Sequence, residues 1–502
     1  MNTLPGSSDV ARFRGWVADR LGLQFDESRW GQLAEVLRRR VSAGAGSCAA
    51  YLDRLAAGTS LNGELKALAR DLTVTETYFF RSPDQFAAFT DIALPQRLAA
   101  AGPRCVQVLA AGCASGEEPY SLAIAVRKAL GDAAGRVAVT AFDINPAMLD
   151  RAAQAQYSNW SLRDLPPDLQ ARWFRPAGST FEVEPSIRSA VAFHERNLAQ
   201  PDPDFWRPGR FDIVFCRNVL MYFTSEHARA AVERIARSLV PGGYLFLGHA
   251  ETLRGLSNDF HLCHTHGSFY YQRKLGDVTA VTPMPARSEP WRPVLALADT
   301  SWVEAIQRAS ERIDALVPHS PAATSTPPAA GETRRAPDLG RALEHVHREQ
   351  FGQALAQLEA LPVAQAHDPD VLLLKAVSLS HSAALDAAQA VCRELLQRDE
   401  LNAGAHYVLA LCHEGLGDVQ AAMEHDQAAA YLDPGFAMPH LHMGLMARRR
   451  GEHDTALREL HQAIALLQRE DSSRLLLYGG GFQREALVAL CEAQCAACAA
   501  VS

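Results

Sequence analysis

VQVLAAGCASGEEPYS, residues Val106 to Ser121, reads as an apolar β-like run, a turn of small residues and the opening of a helix. Gly112 and Gly116 permit backbone conformations that a Cβ obstructs, and Pro119 in the first helical turn loses no hydrogen bond there. Such a loop can press its backbone against a ligand. The usual phosphate loops, GxGxxG and GxxxxGK[ST], aim a bare helix start at an anion, and neither is present. Glu117 and Glu118 at this helix start would repel a pyrophosphate. They suit a cofactor carrying an ammonium and a sulfonium, which is S-adenosylmethionine, although two acids in a first turn are also ordinary complements of the helix dipole.

The chain has 502 residues, enough for two or three domains, with 48% hydrophobic and 21% charged residues. A formal net charge of -8 argues against nonspecific nucleic-acid binding. No apolar run reaches membrane-spanning length and the N-terminus lacks a signal-peptide core, so a cytoplasmic protein without direct membrane insertion is expected. The ten cysteines form no disulfide framework. Cys491, Cys495 and Cys498 share one face of a helix and read as core. His261, Cys263, His264 and His266 alternate as in a strand and lack a second ligand pair, so no metal is expected.

Residues 1–90 have helical spacing: Leu33, Val36, Leu37 and Val41 form one pattern, and Tyr51 through Leu72 another. Arg38, Arg39 and Arg40 lie in the first. They are either a solvated face or a docking surface for carboxylates. LTVTETYFFRSPDQF, Leu72 to Phe86, breaks the period, and its adjacent Tyr78, Phe79 and Phe80 call for burial against the next domain.

From residue 91 to 275 strand and helix signals alternate, as in an α/β fold with a largely parallel sheet. VAVTAFDIN ends near Asp143, where such folds set an acid against ribose hydroxyls. FDIVFCRNVLMYF delivers Arg217, Asn218 and Tyr222 to a strand's carboxyl end, the ligand edge. Val240-Pro241-Gly242-Gly243 reads as a helix stop before the strand YLFLGHAE, and His249 follows as a loop stabiliser or a site residue. About residues 173–197 a small antiparallel insertion is expected. No GxSxG elbow and no HExxH occurs.

LTVTETYFFR, AAGCASGEEPYS, AFDIN, FDIVFCRNVLMYF and LVPGGYLFLGHAE, in this order, resemble the CheR-type chemotaxis-receptor glutamate methyltransferases over about residues 10–274. The resemblance implies a small helical N-terminal domain on a Rossmann-like S-adenosylmethionine-dependent methyltransferase domain with a β-subdomain. Carried over by position, it implies cofactor contacts from Thr75, Thr77, Arg81, Glu117, Asp143, Asn197, Leu198, Arg217 and Asn218. Thr75 departs from the asparagine common in the family, and a hydroxyl cannot offer both amide functions. The implied reaction methylates a glutamate carboxylate on the cytoplasmic domain of a methyl-accepting receptor. That group is ionised near neutrality, so no general base is required. Arg81 and Tyr222 are the candidates for positioning it, and Arg38, Arg39 and Arg40 for docking the acidic receptor. Some relatives also dock on a receptor's C-terminal pentapeptide through an extended β-subdomain; the interval here is compact, so no such tether is expected. A non-catalytic scaffold that only binds the cofactor is the alternative.

Between Gly276 and Pro337 nine prolines and many Ser, Thr and Ala suggest an extended linker, with a short amphipathic helix over Ser301–Val317. Residues 338–502 carry a repeat. Ala376, Ala410 and Gly444 are 34 residues apart, as are Ala388, Ala422 and Ala456, with Ala342 and Ala354 in the same register. That is the tetratricopeptide period, an all-α stack that binds a protein or peptide, here unknown, on a concave face. The tail from Leu475, with its glycines at 479–481, is expected to cap the stack. Domain order and tail together resemble the methyltransferases of the Wsp surface-sensing pathway.

Overall fold

The structure is a computed structural model that describes residues 5–26, 29–43, 47–58, 61–275, 339–348, 350–479 and 482–499. The proline-rich stretch, the proposed helix over Ser301–Val317 and two of the tail glycines lie outside the described residues. The chain divides into two compact units, Met1–Ala280 and Val281–Ser502. No helix among the described residues is long and apolar enough to cross a membrane.

The first unit opens with four helices: α1 (Ser7–Leu21), α2 (Trp30–Ala43), α3 (Cys48–Ala57) and α4 (Leu61–Leu72). The pattern from Tyr51 to Leu72 is two helices rather than one, because Gly58 closes α3 in the left-handed region at φ 74°. α5 (Pro83–Ala88) and α6 (Leu94–Ala101), joined by a π turn, lead into the sheet.

Seven strands follow: β1 (Val106–Ala111), β2 (Val137–Asp143), β6 (Val191–Glu195), β7 (Phe211–Cys216), β8 (Leu239–Leu247), β9 (Phe260–Thr265) and β10 (Ser268–Arg273). Their order is β6-β2-β1-β7-β8-β10-β9, parallel through β8 and antiparallel at β10 and β9. Apolar runs on β1 and β7 suit strands covered on both faces. α7 (Glu117–Leu130), α8 (Pro146–Gln154) and α11 (Ser225–Ser238) connect them. β8 begins three residues before Gly242: Leu239 pairs with Phe211, and the glycines sit in a bulge before Tyr244 pairs with Ile213. The glycines therefore bend a strand already begun and do not stop the preceding helix.

A second sheet, order β3-β5-β4, comprises β3 (Gln156–Tyr157), β4 (Phe174–Ala177) and β5 (Thr180–Val183), flanked by α9 (Pro167–Trp173) and α10 (Pro185–Arg188). It thus starts upstream of residue 173. Val191–Glu195 belongs to the large sheet instead, where it pairs parallel with Val139–Asp143. Phe79 is fully buried between these parts, edge-on to Tyr157 and Phe174 at 4.8 Å each.

The second unit is a series of antiparallel helix pairs: Gly340–His347 with Phe351–Glu359, Pro369–His381 with Leu385–Arg398, Ala403–Gly415 with Val419–Leu432, and Ala437–Arg449 with His453–Leu467. Ala376, Ala388, Ala410, Ala422 and Ala456 are fully buried where the helices cross. Ser472–Tyr478 and Arg484–Ala499 complete it.

Candidate cofactor and methyl-transfer site

The strand order reverses between β1 and β7, so the loops leaving β1, β2 and β7 diverge there and open a crevice at the carboxyl edge. Two adjoining cavities fill it, sharing Val74, Gly112, Ala114 and Asn218. Gly112 is at φ 76°, and a Cβ there would lie 2.5 Å from Val219 Cγ2. Only glycine lets the β1 loop pass the β7 loop this closely.

Asp143 ends β2 and lines the first cavity with Ile144, Met148 and Leu198. Its Oδ2 accepts from Ala114 N at 2.8 Å and its Oδ1 from Asn145 N at 2.8 Å. Each oxygen keeps lone-pair capacity for a ribose hydroxyl. Burial raises the carboxyl's pKa, against the backbone N–H groups of Asn145, Ala114 and Ile144. Asp143 therefore also fixes two loops, a role the sequence did not disclose. Thr75 and Tyr222 line this cavity, as do Asn197, Arg29 and Phe25. Asn197 is held by the Arg20 carbonyl at 2.8 Å. The N-terminal helical domain closes this side through a bridge between Leu23 and Phe223, with Gln24 N donating to Tyr222 O at 2.7 Å.

The second cavity contains Thr77, Tyr78, Arg81, Glu118 and Arg217. Here the structure separates the two helix-start acids. Glu117 is 1% exposed and lines neither cavity; its carboxylate accepts from Ser115 Oγ at 2.7 Å and Ser161 Oγ at 3.1 Å. Glu118 faces the cavity, its Oε2 3.4 Å from Arg217 Nη1. Consecutive helical residues point about 100° apart, so one of two adjacent acids must turn away. The carbonyl of Arg81 and Ser82 Oγ accept from Arg217 Nη2 at 2.5 and 3.0 Å, while its buried Nε has no partner among the described residues. Burial raises the Glu118 pKa and lowers that of Arg217, with each opposing the other's shift.

Glu251, not anticipated, organises the β7 loop. Its 5% exposed carboxylate accepts from Asn218 N (2.6 Å), Gly248 N (2.7 Å), Val219 N (2.9 Å) and Met221 N (3.1 Å). Asn218 is thereby held at φ 57°, a strained conformation that turns its side chain toward the shared wall of the cavities.

Arg81 lies in the second cavity and Tyr222 in the first, so the two candidate positioning groups approach from different ends. Arg81 donates to the Glu76 carbonyl at 3.3 Å, and its guanidinium stands 5.7 Å from the Tyr78 ring. Arg163 packs on the same ring at 3.7 Å and on the largely exposed Trp160 at 4.3 Å. This second guanidinium, packed on a residue of the cavity wall, had no signal in the sequence. His249 lines neither cavity.

The arginine triplet is engaged internally. Arg38 pairs with Glu35 on its own helix at 2.6 Å, and Arg39 stands 3.6 Å from Asp71. Arg40 grips Glu64 through two bonds, 2.8 and 2.7 Å, and Tyr51 donates to the same carboxylate at 2.6 Å. Arg40 is thus a brace between α2 and α4, and Arg38 and Arg39 keep the more exposed surface.

Residues 75–269 match the family model described as CheR methyltransferase, SAM binding domain. The chain is 28% identical over 460 residues to the probable biofilm formation methyltransferase WspC of Pseudomonas putida, covering 91% of this chain and 98% of that one. It is 35% identical over 219 residues to chemotaxis protein methyltransferase 1 of Pseudomonas aeruginosa, covering 42% of this chain and 79% of the relative. Among solved structures, the crystal structure of MamA protein is 20% identical over 30% of this chain and 83% of that one; its TM-score of 0.23 carries no argument.

Proposed function

Because the chain belongs to the CheR family of S-adenosylmethionine-binding methyltransferases, we propose that it methylates glutamate side chains on the cytoplasmic domain of a methyl-accepting chemotaxis-type receptor. The observation that carries this reading is the buried Glu118–Arg217 pair facing a cavity joined to the Asp143 cavity. The residues fit the cofactor: Asp143 offers acceptors for ribose hydroxyls, Glu118 a negative charge for an ammonium or sulfonium, and Leu198 and Met148 apolar cover for a base.

When bound, S-adenosylmethionine supplies a methyl group on a positively charged sulfur, which the glutamate carboxylate takes to form an ester while the sulfur becomes a neutral thioether. The protein's own part is orientation and exclusion of water, which can supply about 7–11 kcal/mol of the barrier. Arg81 lines the second cavity and Arg163 packs on Tyr78 of its wall; among the described residues neither guanidinium is paired with a carboxylate, which suits them to an incoming acid and its neighbours. No base is needed, since the nucleophile is already ionised.

Added-strand docking of a receptor tail has little to build on here. The outer strand β4 is four residues long and includes Pro176, which lacks an N–H. The repeat unit serves targeting or regulation instead. Methyl transfer is tested with labelled cofactor and receptor-containing membranes. Base-labile label on the receptor, lost when its glutamates are replaced by glutamine, is expected; base-stable label, or none with an active cofactor site, refutes the substrate assignment.

A further inference from the structure

The two helices that follow the last repeat take different paths. Arg484–Ala499 packs along His453–Leu467 and closes the end of the stack, as a capping helix does. Ser472–Tyr478 instead turns back across the repeats. It touches Gly340–His347, the first helix of the first pair. Tyr478 stands edge-on to Tyr407 at 5.7 Å and tilted against Phe436 at 5.0 Å. Its hydroxyl occupies the space over Gly404, where a Cβ would lie 2.2 Å away. Arg474 pairs with Asp433 at 3.0 Å and lies 4.4 Å over the Phe436 ring. Leu475, Leu477 and Tyr478 are 3%, 2% and 6% exposed.

Gly404, Tyr407 and Phe436 lie on, or at the start of, the first helix of a pair, and Asp433 ends the second helix Val419–Leu432 just before one. Of the first helices, Pro369–His381 also touches Ala403–Gly415, which marks these two as an inner layer of the stack. That layer forms the concave surface on which such stacks hold ligands. A helix of seven residues does not persist in water unaided, so the groove holds it in shape.

We propose that Ser472–Gly479 is a built-in occupant of the repeat groove, seated where a short helix of a partner protein binds. The partner's helix carries the same pattern: a cation for Asp433, leucines one and three residues later, and an aromatic residue four later for the Gly404–Tyr407–Phe436 recess. Charge complementarity and the glycine-floored recess select this chemistry. Release of the chain's own segment is then the step that admits the partner.

The test uses the full chain and a fluorescent peptide of residues 471–479. Tyr478→Ala empties the recess and should bind the peptide at least tenfold tighter than the wild type. A peptide with glutamate at the Arg474 position should not bind. Gly404→Ala, which blocks the recess without altering the tail, should abolish hydrogen-exchange protection of 472–479 and still not bind the peptide. Three results would overturn the proposal. One is unchanged peptide affinity in a Tyr478→Ala protein that keeps its helical spectrum. Another is cooperative loss of the repeat helices in either variant, which makes the segment ordinary core. The third is concentration-dependent dimerisation of the wild type through exchanged tails, which makes a second copy the occupant.

Discussion

Both units bury charge, and they treat it in opposite ways. In the repeats His442 is clamped between Asp426 at 2.7 Å and Glu414 at 2.8 Å, so both ring nitrogens are engaged. Burial alone would lower the His442 pKa, but its bonds to Asp426 and Glu414 raise it to about 9. In the α/β unit Glu118 and Arg217 are both pushed toward neutrality by burial, at 3.4 Å, beside a cavity and with Arg217 Nε unpartnered. Asp426 Oδ1, like Arg217 Nε, has no hydrogen-bond partner among the described residues, so what separates the two sites is the cavity beside the second. A pair left short of partners at a cavity wall is completed by a ligand. We read the first as architecture and propose the second as the binding site.

The contrast breaks first if His442 is dispensable. His442→Ala leaves Asp426 buried without its partner, a loss of about 3–5 kcal/mol that should appear as a lowered melting transition of the repeat helices, with cofactor affinity unchanged. The pH dependence has a defined sign. A histidine whose pKa rises from 6.5 to about 9 on folding stabilises fully below about pH 6.5, and that share is lost as pH rises through about 9. The melting temperature of the wild type should fall over that window and that of His442→Gln should not follow it.

Next in size is Asp143→Asn. A hydrogen bond to a charged group is worth about 1.5–3 kcal/mol, so calorimetric titration should show cofactor affinity falling roughly tenfold or more. Asn is the more informative change because it keeps an acceptor for one of the two N–H groups, of Ala114 or Asn145, whereas Asp143→Ala strands both and loosens both loops. Unaltered affinity in the folded Asn variant would remove Asp143 from the site.

Glu118→Gln sharpens the comparison through pH. With its pKa raised above the ordinary 4.5, Glu118 takes up a proton sooner than an exposed acid as pH falls, so wild-type cofactor affinity should decline on the acid side. The Gln variant should bind more weakly near neutrality and show a shallower acid limb, the rest belonging to Asp143, whose pKa burial also raises. A Glu117→Gln protein with that flattened limb would reverse the assignment of the two acids. The smallest effect is expected at Arg163→Glu: the Michaelis constant for receptor should rise several-fold and its salt sensitivity fall, with cofactor affinity unmoved. Equal receptor kinetics would reduce the Tyr78–Arg163–Trp160 stack to surface packing.

What the sequence disclosed were features set by local spacing. Gly112, Asp143 and Arg217 stand at strand ends whose apolar runs are plain, and the 34-residue period places each small residue at a helix crossing. What it withheld depends on where chain segments meet. Glu251 acquires its role only when the β7 loop folds over it, and Glu118 differs from Glu117 by a rotation about a helix axis. Arg40 looks like its two neighbours until Glu64 arrives from another helix. The glycines at 242 and 243 carry a stop signal that sheet pairing overrides.

The bridge between Leu23 and Phe223 has a consequence for turnover. Gly22 O accepts from Thr224 N at 2.9 Å and Gln24 N donates to Tyr222 O, so a short seam of backbone bonds ties the helical domain to the loop carrying Tyr222. The first cavity is walled on that side by Leu21, Leu23 and Phe25. If the proposed methyl transfer holds and cofactor leaves by this side, its exchange requires the seam to part. The steady rate then reports how often two domains separate, and rapid-mixing kinetics should show a burst of methyl ester in the first cycle followed by slower product-limited cycles.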